Sequence, residues 1–125
     1  MDRHSIELSV LAHASILVGF VFRYSFVLPL LIWKTMKHSK YSEHQARQAT
    51  YYQAFALLLL LCISFTVQFH MLLDESTGGR VPRVDELLIK EIEFGVYFTL
   101  SLYALYGACR CSKGEDFRYI LLGNI

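Results

Sequence analysis

Charge is missing from most of this sequence. Residues 8–22, 24–33, 48–73 and 94–109 contain no Asp, Glu, Lys or Arg, so all twelve cations and eleven anions crowd into the segments between them. A soluble helical domain keeps charge along the wet face of each helix, and a soluble enzyme is excluded on that ground. A net charge of +1 leaves no basic footprint for a nucleic acid. Proline is scarce, with Pro29 and Pro82 alone, so long helices run uninterrupted. Cysteine is scarce as well. Cys109 and Cys111 are separated by one residue, not the two of zinc and redox motifs, and Cys62 stands apart.

What is present is a set of apolar runs of helical length. Ala54 to Leu73 holds 20 residues, enough to cross a hydrocarbon core of about 30 Å. Only Gln68 and His70 in it are strongly polar, and both lie near one end. Ser42 and Gln45 have the spacing of a capping box, with Ser42 as N-cap, so one helix is expected over about 42–73. A further helix is expected over about 84–111, starting after Pro82 with acidic first turns that suit the helix dipole. The first block, Ile6 to Trp33, is too short for two full spans and is interrupted by Arg23 and Pro29. One straight helix would bury Arg23 at several kcal/mol. The expected form is a helix over about 5–22, a break near Arg23–Pro29, and a short helix over about 28–38. Whether this pair crosses the membrane once or turns back stays open. The residues Met1-Asp2-Arg3-His4 do not make the basic region of a signal peptide. The fold class is therefore all-α, one small polytopic membrane domain over 1–125, with three main helices or four if the first block counts as two.

Orientation follows from the loops. Lys34, Lys37, Lys40 and Arg47 against Glu43 give segment 34–47 a net charge of +3. Segment 74–93 carries Asp74, Glu75, Asp85, Glu86, Glu91 and Glu93 against Arg80, Arg83 and Lys90, a net of −3. The positive-inside rule places 34–47 and the C-terminal segment on the cytoplasmic side, and 74–84 on the other.

His13 is an ionisable group inside an apolar run, which makes it a functional candidate. It suits an axial ligand to haem or chlorophyll, or a proton relay, and equally an interhelical hydrogen bond. His70 is the second candidate for such a ligand. No His-x-x-x-His or Glu-x-x-His pair occurs, so no metal site is expected. No nucleophile is paired with a base, and no cofactor or enzyme activity is expected. The eight tyrosines fit interfacial belts and helix packing.

Three fragments then read together. They are LAHAS around His13, LPLLIWKTMKHSKYSEHQARQATYYQ, and GEDFRYILLGNI. In this order the chain resembles the Tic20-like family of small bacterial membrane proteins. The matching positions are His13, Pro29, Leu30, Trp33, His44, Ala49, Gln53, Gly114, Phe117, Arg118 and Tyr119. Tyr52 stands in place of a usual Phe, and Ile120 in place of a Pro. The resemblance implies a scaffold in which Trp33 anchors at the interface and His44, Gln53 and Arg118 tie cytoplasmic ends together, with Arg118 and Tyr119 available to lipid or a partner. The expected function is a non-catalytic accessory subunit of a larger membrane complex, respiratory, photosynthetic or translocating, in contact with lipids and other integral subunits. The alternatives are a translocation or transport component of Tic20 type, with a hydrophilic path along His13, Gln53, Gln68 and His70, and a haem- or chlorophyll-ligating subunit.

Overall fold

The computed structural model describes residues 2–35, 39–79 and 86–122. Among these the chain is all-helical. Helix α1 is Arg3–Ala14, followed by a 3-10 segment Ser15–Phe20. Helix α2 is Val27–Thr35, α3 is Lys40–Thr77 and α4 is Glu86–Ser112. The expected ends of the second helix at 36–38 and the expected start of the last at 84–85 lie outside the described residues.

The first helix does not stay α-helical to residue 22 as its composition suggests. Two of its carbonyls are taken by side chains. Gln53 Nε2 donates to Ala12 O at 3.1 Å, and the Tyr97 hydroxyl donates to Ile16 O at 2.6 Å. Ser15 Oγ also donates back to Ala12 O at 2.6 Å. Such bonds compete with the helical ladder, and the chain tightens to the 3-10 form over Ser15–Phe20.

The chain then turns back. Leu8 and Ala12 share one apolar cluster with Ile32, Ala46 and Ala49. In a continuous helix Ala12 and Ile32 would stand about 30 Å apart. Residues 3–35 are therefore a helical hairpin that leaves by the side on which it enters. Its tip carries Val21, Phe22, Arg23 and Tyr24, all exposed. That answers the problem of Arg23, which sits at a turn rather than inside a helix. Pro29 falls in the first turn of α2, where its missing N–H costs no bond.

Helix α3 starts earlier than the sequence spacing suggests. The N-cap is Ser39, whose hydroxyl accepts from Ser42 N at 3.1 Å while Ser39 N donates to Ser42 Oγ at 3.3 Å. Ser42 is thus the third helical residue. Gln45 is not a capping group because its side chain points into the core. The helix runs 38 residues, about 57 Å at 1.5 Å per residue. It stops at Gly78, which takes the left-handed conformation (φ 67°) and returns its N–H to Asp74 O.

Helices α3 and α4 run antiparallel. The Tyr52 hydroxyl meets Leu100 O at 2.8 Å, and Ser64 Oγ meets Glu93 Oε1 at 2.9 Å. Both are long and apolar enough to cross a membrane. The core helix of a soluble protein would pass the same test of length and composition, but its apolar stretch would be buried. Here the most apolar stretch of α3 is almost wholly uncovered, as a lipid-facing helix is. The packed bundle lies at the other end, where α1, α2, the first half of α3 and the last half of α4 meet.

Candidate functional site

The bundle is built around a polar centre. On α3 the buried face reads Ser42, Gln45, Ala46, Ala49, Tyr52, Gln53 and Ala56. These recur at helical spacing of three and four. Small and amide side chains on one face let helices approach closely and bond across. On α4 the matching face is Ser101, Ala104, Ala108 and Cys111.

His13 stands at the middle and is 0% exposed. Its Nε2 lies 3.0 Å from Gln45 Oε1 and its Nδ1 2.7 Å from the Tyr119 hydroxyl. Gln45 Nε2 donates to Asp116 Oδ1 at 2.9 Å. A carboxylate only accepts, so the Gln45 amide must face Asp116 and its carbonyl must face His13. The imidazole proton is thereby assigned to Nε2, and Nδ1 accepts from Tyr119. The Cys111 thiol, 3.4 Å away, donates to the same Gln45 oxygen. The result is a directed chain from Tyr119 through His13 and Gln45 to Asp116 at the surface.

The tail after α4 closes this centre. Residues 116–119 alternate in the manner of an extended strand. Phe117 and Tyr119 are buried while Asp116 and Arg118 are exposed. Tyr119 stacks on Tyr52 with ring centroids 3.9 Å apart and planes within 4°. Phe117 meets the edge of His13 at 5.5 Å. Gly107 leaves its room, since a Cβ there would stand 2.6 Å from the Phe117 ring. Burial, with Tyr52 alongside, raises the Tyr119 phenol well above its ordinary range, so it remains a donor to His13. Tyr41 donates to Glu115 O at 2.7 Å, and Arg110 is paired with Glu115.

The sequence candidates separate into two groups. His13, Gln53 and Tyr119 meet in the core, and Gln53 Nε2 also donates to Ser15 Oγ at 2.9 Å. Gln53 is thus not with His44 and Arg118, as the expected cytoplasmic tie requires. His44 lies 3.9 Å from Asp116, and Arg118 Nε donates to Asp116 at 3.0 Å, so Asp116 is the residue that joins them. Trp33 packs on Tyr51 at 5.8 Å and carries the Lys34 ammonium 4.2 Å from its ring. His70 and Gln68 are exposed on the far half of α3. Fifteen residues separate Gln53 from Gln68, about 22 Å along the helix, so the four residues of the expected path do not line one passage. An axial ligand needs a ring nitrogen turned to an open face, and both nitrogens of His13 hold side chains. Among the described residues no group of His, Cys, Asp and Glu is placed to hold a metal ion. Gln45, Asp116 and Phe117 gave weaker signals than His13. The alternating Asp-Phe-Arg-Tyr and the amide on a small-residue face are the patterns that point to them.

No curated protein and no solved structure matches this chain. A family model does, over residues 4–125, and it is that of the magnetosome magnetite crystal formation proteins, MamF/MmsF. This overturns the Tic20-like resemblance, whose marks were a histidine, a Pro–Trp segment and a polar tail that here build one helical core. The chain belongs to the magnetosome magnetite crystal formation protein family.

Proposed function

We propose that the chain is a non-catalytic membrane component of magnetite crystal formation, working beside other integral proteins and presenting its acidic end to the side on which the crystal grows. The observation that carries this reading is the family match over nearly the whole chain. The charge distribution supplies the direction. The bundle end has Lys34, Lys40 and Arg47, while the far end has Asp74, Glu75, Glu91 and Glu93. Carboxylate oxygens suit hard cations such as ferrous and ferric iron, here as material for the mineral rather than a resident cofactor. In this reading 34–47 and the tail are cytoplasmic, and 74–84 faces the opposite compartment. The His13–Tyr119 pair serves packing, since both side chains are sealed from solvent and substrate.

The test is made in a magnetite-forming host that lacks the endogenous copy. Asp74→Asn, Glu75→Gln and Glu91→Gln together are expected to leave the protein in the membrane but to change the crystal size distribution in electron micrographs. If a strain lacking the protein makes crystals of unchanged size and shape, the reading is wrong.

A further inference from the structure

The segment after α4 does not rest on the charged end of the bundle but runs back along it. Glu7 on α1, Arg47 on α3 and Arg110 on α4 are the charges that border the uncharged runs 8–22, 48–73 and 94–109 at this end. Asp116 stays at their level or outside it, since it meets His44 and Gln45, which precede Arg47. Tyr119 does not. Its ring lies against His13, Tyr52 and Tyr103, with centroids 5.4, 3.9 and 5.4 Å away. His13 is six residues inward of Glu7, Tyr52 five inward of Arg47 and Tyr103 seven inward of Arg110. At 1.5 Å per residue the three helices agree on a depth of about 7–11 Å below the bordering charges.

The segment is equipped for that depth. A chain that enters an apolar layer needs partners for its backbone N–H groups. Tyr119 N donates to Gln48 Oε1 at 3.4 Å, Ile120 N to the Tyr103 hydroxyl at 3.4 Å, and Leu122 N to Tyr119 O at 3.1 Å. Leu122 packs against the cluster that holds Ile16, Tyr52 and Tyr97. Arg118 reaches back to Asp116 at 3.0 Å, as a long cationic side chain does when its head stays in water. Residues 119–125 carry no charge. Ile120 and Leu121 are left outside the bundle, 85% and 72% exposed.

We propose that Ile120 and Leu121 are a lipid-contact tip: the segment after α4 re-enters the leaflet on the bundle side, and these two side chains meet its acyl chains. Depth selects the occupant. The helix surface around the same level is apolar as well, with Leu11 of α1 and Leu102 of α4 each more than half exposed, so the tip continues a lipid-facing wall. The contact also acts on the core. Phe117 and Tyr119 close the polar centre from one side of the segment, and Ile120 and Leu121 anchor its end. Releasing Tyr119 from His13 would drag two large apolar side chains into water, so the bilayer holds the centre shut. This inference rests on the membrane placement of the bundle and is independent of any role in mineral growth.

The experiment is fluorescence quenching of the full chain in phospholipid nanodiscs, with Trp33→Phe removing the one native tryptophan. Leu121→Trp is compared with Lys113→Trp, which lies just past the end of α4. Lipid brominated near the top of the acyl chain is expected to remove most of the Leu121→Trp emission and little of the Lys113→Trp emission. Iodide in the water is expected to do the reverse. Ile120→Trp serves as the second reporter at the tip and is expected to behave as Leu121→Trp does. In the chain with Trp33 intact, Leu121→Asp is expected to speed chymotrypsin cleavage after Phe117 or Tyr119 about tenfold, since a carboxylate at that depth favours release of the segment. Leu121→Lys is expected to leave the rate near that of the unaltered chain, because its ammonium can reach the surface. Equal bromolipid quenching at the tip and at 113, or free access of iodide to the tip, would overturn the proposal. So would a tip quenched by neither, which would mean that a second copy or another protein covers it, or cleavage indifferent to Leu121→Asp.

Discussion

Residues 42–56 and 57–73 belong to one unbroken helix, yet they face different solvents. The first half turns Ser42, Gln45, Gln53 and three alanines into protein. The second half turns Leu58, Phe65, Phe69 and Leu72 outward, each at least half exposed. Hydropathy alone would rank the second half as the better core. The core is instead the less apolar half, because lipid already solvates leucine and phenylalanine and gives them no reason to leave it. Amides, hydroxyls and an imidazole gain more by pairing inside protein. Along α3 the buried residues other than Tyr52 are polar or small, and the greasy ones are surface.

That contrast can be broken by truncation. Phe117→Ala in the bundle empties the space against Gly107 and His13 and should cost about 3–5 kcal/mol, read as a lower unfolding midpoint in micelles. Gln45→Leu keeps most of the volume but strands the buried His13 and Cys111, and should cost about 2–3 kcal/mol in the same assay. Tyr119→Phe keeps the stack on Tyr52 and removes one hydroxyl, at about 1 kcal/mol. Leu72→Ala on the outer half should stay within about 0.5 kcal/mol. If Leu72→Ala costs as much as Phe117→Ala, the outer half is packed against protein and the contrast fails.

The helices were legible because charge-free runs of helical length admit few other readings. Pro29, Arg23 and the short second block marked the break correctly, but not its direction. The return of α2 depends on Ala12 meeting Ile32, Ala46 and Ala49, and alanines carry no signal in a hydropathy profile. His13 was singled out by its place in an apolar run. Tyr119 stands out only as a lipid or partner contact implied by the family pattern, and Gln45 only as a cap, so neither shows in the sequence as a partner of His13. Ser39 and Ser42 have the same spacing as Ser42 and Gln45, and only the need for an amide beside His13 decides between them. The family itself was missed because the shared marks, a helical histidine and a polar closing segment, are answers to a packing problem that unrelated small membrane proteins also meet.

The position of Phe117 and Tyr119 has a consequence for how the molecule is made. They follow all four described helices, so a ribosome releases them after α1, α2, α3 and α4 have been synthesised. Until then His13 lacks its Tyr119 partner, the Tyr52 ring is bare on one face, and the space beside Gly107 is empty. A nascent chain can place its long helices in the bilayer early, but it cannot finish its core. The core closes only once the segment after α4 has emerged, and a chain cut short after Ser112 leaves the polar centre around His13 unsealed.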